Sequence, residues 1–237
     1  MKNILLILSL CILFTNCKEE KSKTVKKDAK EVSNSNEELC NNKATYGDVE
    51  FCLPQLNGIK EAYKDPIINN RINRFEDKSN IILGYYITEE VYAMKDSIDH
   101  VDFDNYYKVY APKQGVNLNT NSSQMKEIMN MMTSGFIDKT LEKSNEDFKT
   151  SGIEMSQPTL IEKYQLNREA STMVILMRIS NQNTDKLVAI TMTAILIKQR
   201  IVFVAHYLDY KDDKTIKLVK EHTDTFINEL LLVNNAI

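Results

Sequence analysis

The sequence predicts an α+β fold, an α/β/α sandwich in which a mainly antiparallel sheet is covered by two long helices. Three observations lead there. Three apolar runs, STMVILMRI (171–179), LVAITMTAILI (187–197) and RIVFVAHYLDY (200–210), follow one another through connections too short for parallel crossovers, so they form an antiparallel meander. The middle run is apolar on both faces, with Val188, Ile190, Met192, Ala194 and Leu196 on one and Leu187, Ala189, Ile195 and Ile197 on the other, so both faces need cover. Two segments, Asn121 to Phe148 and Lys214 to Asn235, carry apolar stripes at helical spacing that can supply it.

At the N-terminus, residues 1–16 read MKNILLILSLCILFTN: Lys2, an uncharged apolar run from Ile4 to Phe14, then small or polar residues before Cys17. That is the layout of a secretory signal. The run rises only about 16 Å as a helix, roughly half a bilayer's hydrocarbon thickness, so it reads as a removable signal and not a span. FTNC resembles a bacterial lipobox, although Phe14 stands where leucine is usual and Asn16 where a small residue is usual. The resemblance implies cleavage before Cys17 and lipid attachment there. The following Lys18, Glu19 and Glu20 resemble a short acidic export signal of some Gram-negative lipoproteins. Together these imply a lipid-anchored protein of the outer membrane, with the cell surface favoured over the periplasmic face.

From Lys18 to Lys43 the chain holds seven lysines and six acidic residues, with Val25, Ala29, Val32, Leu39 and Cys40 as its only apolar members. Such a segment cannot bury enough surface to offset its ordering entropy. As a flexible coil it spans roughly 28 Å r.m.s.. The expected organisation is therefore signal 1–16, lipidated cysteine and tether 17–43, and one globular domain 44–237. Of four cysteines, Cys11 lies in the signal and Cys17 carries the lipid, which leaves Cys40 and Cys52. In an oxidising exported compartment they suit a disulfide fastening the tether's end to the first strand; the alternative is two free thiols.

Inside the domain, GDVEFCLP (47–54) predicts a strand ended by Pro54, IILGYYI (81–87) a second, and NYYKVYAP (105–112) a third stopped by Pro112. Met125, Ile128, Met129, Met132, Phe136 and Leu141 recur at helical spacing from Asn121 to Phe148, with Ser122 or Ser123 as cap and Gly135 as a candidate kink. After the meander, Ile216, Val219, Phe226, Leu230 and Val233 form the stripe of the closing helix. An opening FCLP strand, the GYYI and YYKVYAP strands, a long mid-chain helix, a meander and a closing helix YLDYKDDKTIKLVKEHTDTFINELLLVNNA together resemble the PsbP-like fold of small exported proteins. That resemblance implies an accessory or binding module and supplies no catalytic residues.

Composition excludes several chemistries. The chain has 6 glycines, 4 prolines, 3 histidines and no tryptophan, so phosphate-cradling loops and multi-histidine metal centres have little to be built from, and no cofactor is expected. A net charge of −3 argues against a nucleic-acid partner. His100 among Asp99, Asp102 and Asp104 lacks the glycine turn of a calcium loop and reads as a solvated turn; His206 lies in an apolar run and His222 in the closing helix. Met125, Met129, Met131 and Met132 raise copper(I), but the helical face favours core packing. Tyr85, Tyr86, Tyr92, Tyr106, Tyr107 and Tyr110 could stack on sugars or peptides, though half-buried strands favour tyrosine anyway. Asp96-Ser97-Ile98 matches a short O-glycosylation pattern at a length close to chance. With no nucleophile elbow, Cys/His dyad, HExxH or P-loop, the sequence points to a lipid-anchored, non-catalytic envelope module that binds another envelope protein or an extracellular ligand. An envelope hydrolase with a carboxylate-based site is the alternative.

Overall fold

The structure is a computed structural model that describes residues 40–74, 76, 78–96, 104–131, 133, 154–180 and 185–235. The signal, Cys17, Lys18, Glu19 and Glu20 lie outside the described residues, as do His100, Ser97, Met132, Gly135 and the continuation of the predicted mid-chain helix to Phe148.

Strands β1 (Asn42–Tyr46) and β2 (Val49–Leu53) form an antiparallel ribbon. Its tight turn needs Gly47, which has φ +65° and whose added Cβ would lie 2.3 Å from the Val116 carbonyl oxygen. β1 starts at Asn42 and Cys40 is buried, both inside the stretch up to Lys43 whose charged composition predicts a tether. The bridge to Cys52 and the pairing Asn42 to Leu53 account for it.

The main sheet is built from β3 (Ile59–Glu61), β4 (Asn80–Thr88), β5 (Asn105–Pro112), β6 (Glu154–Met155), β7 (Thr159–Asn167), β8 (Ala170–Ser180), β9 (Asp185–Ile197) and β10 (Arg200–Asp209). Its order is β3-β4-β5-β10-β9-β8, and β7 and β6 pair with successive parts of the outer edge of β8. All pairings are antiparallel. β8, β9 and β10 are the three predicted meander strands, and β7 extends the meander to four. The β9–β10 hairpin turns on Lys198 and Gln199, both at positive φ (48° and 63°), the conformation that a two-residue turn between right-twisted strands demands.

Among the described residues, four α-helices accompany the sheet: α1 (Pro66–Ile72), α2 (Glu89–Ala93), α3 (Ser122–Met131) and α4 (Asp213–Asn235). Asp65 caps α1 by accepting from the Ile67 and Ile68 amides, with Pro66 at the first helical position. α3 is capped by Asn121 and not by Ser122 or Ser123: Asn121 Oδ1 accepts from the Gln124 amide while Gln124 Oε1 accepts from the Asn121 amide, each at 3.0 Å. This reciprocal box needs an acceptor one residue before the helix and an amide side chain three residues on, which the Asn121/Gln124 pair supplies.

The sheet separates two layers of core. On one face α4 and the β1–β2 ribbon pack Tyr46, Phe51, Leu53, Phe226, Ile227 and Leu230 against Tyr107, Val109, Ile195, Val202 and Val204. On the other, α3 lays Met125 and Met129 on Met173, Ala194, Phe203 and Ala205, and α1 lays Ile68 and Ile72 on Tyr85 and Ile87. The fold is thus α+β, with a mainly antiparallel sheet apolar and covered on both sides. α4 is the long helix of one face; on the other, α1 and α3 are the covering helices among the described residues.

Candidate functional site

Cys40 and Cys52 are joined by a disulfide that closes a loop over a sequence separation of 12. The register of the ribbon places the cysteines at its open end, next to the Asn42 to Leu53 pair. A third residue completes this junction. Asn234, in the last turn of α4, accepts from the Cys52 amide through Oδ1 at 2.9 Å, and its Nδ2 donates to the Cys52 carbonyl at 2.8 Å and to the Leu230 carbonyl at 2.7 Å. One side-chain amide therefore satisfies both backbone groups of Cys52, as a neighbouring strand would. Asn234 stands on the buried stripe of α4 beside Val233, and a polar residue on such a stripe was the available sign of a buried partner.

The opposite end of the ribbon is tied by Arg200. Its guanidinium, almost fully buried, donates to Asp48 at 2.7 Å, to Asn119 Oδ1, and to the Leu118 carbonyl at 3.3 Å. The guanidinium holds the Asp48 carboxyl below its ordinary range through a direct hydrogen bond. Among the described residues the Arg200 Nε has no hydrogen-bond partner. β10 is thereby linked to the ribbon turn and to the segment leading into α3.

Beneath α4 runs a row of buried polar side chains that interrupts the apolar face. Thr172 and Thr193 share a hydrogen bond at 2.9 Å, and Thr191 and Thr223 share one at 2.6 Å. His206 is fully buried, with Nδ1 3.1 Å from Thr223 Oγ1 and Nε2 2.9 Å from Asn105 Oδ1. Its ring stacks on Tyr107 at 3.9 Å between centroids, and His222 lies 6.0 Å away. Burial first, and the neighbouring His222 second, push His206 down to about 3. It is a neutral, packed histidine with every ring nitrogen engaged.

Across the other face, Tyr85, Tyr106 and Tyr207 stack in a row at 5.3 and 4.4 Å. Burial raises the Tyr85 and Tyr106 hydroxyls far above the usual phenol range. Lys108 beside them pairs with Glu76 at 2.8 Å, both largely withdrawn from solvent. The tyrosines singled out in the sequence are mostly structural: Tyr85, Tyr86, Tyr107 and Tyr110 are buried, and Tyr92 donates to Asp65. Asp65 also pairs with Lys95, and that hydrogen bond lowers its carboxyl to about 2. Met125 and Met129 are core residues, whereas Met131 is exposed.

Two open grooves lie on the surface. One of about 290 Å³ runs between α3 and β7, lined by Lys126, Met129, Asn130, Lys163, Tyr164, Gln165 and Ser171. The other, of about 410 Å³, flanks the first half of α4. The carboxylates lining it are engaged: Asp213 by Tyr210, Glu221 by Lys217 and Asp224 by Tyr164. Among the described residues no group of three or more His, Cys, Asp or Glu side chains is placed to hold a metal ion, and no helix is long and apolar enough to cross a membrane.

No protein family matches the chain, and no curated protein is similar to it. Among solved structures, the Ran-binding protein Mog1p of Saccharomyces cerevisiae is similar at 8% identity and a TM-score of 0.31, over 78% of this chain and 86% of that one. A mutant of protein Mog1 is similar at 8% identity and 0.31, over 81% and 93%. A likeness this distant carries no argument about sites, partners or activity.

Proposed function

We propose that this chain is a lipid-anchored cell-envelope protein, held at the outer membrane through Cys17, whose α+β domain is a non-catalytic binding or accessory module. The observation that carries the reading is the order of the N-terminal features: one lysine, an apolar run too short to span a bilayer, FTNC, and then a charged segment without core-forming residues. The junction at Cys40 is compatible with it, because residues N-terminal to that point join the domain through a covalent staple and not through a fraying strand end. On this reading Lys18, Glu19 and Glu20 direct the protein outward, and its partner is another envelope protein or an extracellular ligand.

The anchor is tested in a Gram-negative host by palmitate incorporation and by fractionation after a high-salt wash. The native chain should take up label and remain with the membrane, while Cys17→Ala should do neither. Retention of Cys17→Ala on salt-washed membranes rejects the anchor. Protease shaving of intact cells then assigns the membrane face: digestion supports surface display, and protection rejects it.

A further inference from the structure

The bridge lies in a small buried cluster with the end of α4. Cys40 is 9% exposed and Cys52 1%, and the two share one buried cluster with Val233. Reduction of a disulfide requires a thiolate to reach one of the sulfurs along its axis, form a mixed disulfide there and expel the other cysteine as thiolate; a dithiol then closes its own ring and releases the second. An approach to the bridge from the α4 side requires Val233, and with it the last turn of α4, to move aside. That turn is pinned by Asn234, whose amide makes both of its Cys52 bonds inside the protein. Lifting the turn breaks both of these bonds and leaves the Cys52 amide and carbonyl to water, so opening forfeits two buried hydrogen bonds together with the burial of the bridge.

We propose that the terminal turn of α4 is a shield over the Cys40–Cys52 bridge and that Asn234 is its latch, so that the folded domain keeps its N-terminal staple in the presence of thiol reductants. The role of this shield in securing a membrane tether rests on the anchor reading above; the chemistry of the latch does not. The arrangement also links two distant parts of the chain: α4 must be docked before the bridge is protected, and the bridge holds β2 where Asn234 can pair with it.

The test uses the full chain purified in detergent, with dithiothreitol as the reductant. Bridge opening is read as alkylation of the peptides carrying Cys40 and Cys52. The native fold should be reduced at least tenfold more slowly than the same chain in urea. Asn234→Ala should speed reduction about tenfold while leaving the far-UV circular dichroism intact. Leu232→Ala, at an exposed position of the same turn, should change the rate less than twofold. Equal rates in buffer and urea, an unchanged rate in Asn234→Ala, or equal acceleration by Leu232→Ala each overturn the latch. If Asn234→Ala does not fold, hydrogen exchange at the Cys52 amide of the native chain decides: slow exchange alongside slow reduction supports the latch, and fast exchange alongside slow reduction overturns it. Palmitate incorporation does not enter these rates, so loss of the anchor reading and loss of the latch give different results.

Discussion

Acidification should destabilise this domain through His206 well before its carboxylates respond. In the unfolded chain an imidazole takes up a proton near pH 6.5. In the folded domain, burial and His222 hold the His206 ring neutral down to about pH 3. Between these values the unfolded state binds one more proton than the native state, so stability rises with pH across that window and is lost as pH falls from about 6.5 toward 3. The slope is about 1.4 kcal/mol per pH unit, which amounts to about 2 kcal/mol between pH 7 and pH 5. The groups facing the ring are Tyr107 from β5, Thr191 from β9, Thr223, the Val219 carbonyl and His222 from α4, and Asn105. No carboxylate is among them to stabilise the imidazolium. Asp65, lowered to about 2, also loses stabilisation on acidification, but only below its unfolded value near 4, so it leaves the upper window clear. Urea unfolding at pH 7, 6 and 5 provides the measurement, with His206→Gln as a non-titrating control that keeps a polar side chain at the site. The native protein should lose about 2 kcal/mol over this range and the variant less than about 0.5 kcal/mol. A native protein that is flat from pH 7 to 5, or a variant that keeps the slope, refutes the reasoning.

Further outcomes follow from the same structure. Gly47→Ala meets the Val116 carbonyl and forces a side chain into positive φ, and should cost about 2–3 kcal/mol in urea unfolding; a loss below about 0.5 kcal/mol would contradict the close approach. Arg200→Ala removes charged hydrogen bonds to the ribbon turn and the Leu118–Asn119 segment and should cost about 2 kcal/mol, and Arg200→Lys should recover less than half of it because an ammonium cannot bridge that fork. Thr191→Val removes one hydrogen bond from Thr223, which keeps the Val219 carbonyl and His206, and should cost about 1 kcal/mol, with the Thr191→Val/Thr223→Val pair costing less than the two single changes added; full additivity would mean that the hydroxyls are not coupled.

Elements whose evidence is local were legible in the chain. The strand at Asn105–Pro112 has alternating side chains and ends at a proline, and the three apolar meander runs can occupy only adjacent antiparallel strands. α4 was readable because its stripe of Val219, Phe226, Leu230 and Val233 persists over many turns. β7 was not, because irregularities at Leu160/Glu162 and Gln165/Asn167 break the alternation that marks a strand, and it lies at the sheet edge with Leu160 and Ile161 exposed. α1 is seven residues long, too short for a periodic signal, and β1 is hidden in polar composition because its order depends on the bridge and on β2.

The candidate site divides the same way. Cys40 and Cys52 could be paired by counting, since Cys11 and Cys17 lie in or beside the segment that reads as a signal. Asn234, 182 residues from Cys52, carries no mark of that pairing beyond being polar on an apolar stripe. Arg200 likewise reaches Asp48 across 152 residues. Periodicity, capping residues and prolines act within a few residues of chain, so secondary structure, apolar faces and the charged composition of residues 18–43 were written in the linear order. The insertion of β10 beside β5, the neutral state of His206 and the union of ribbon and terminal helix at Cys52 depend on burial and on partners brought together from far apart. Only the closed tertiary structure creates that environment, because desolvation and long-range hydrogen bonding have no counterpart in an extended chain.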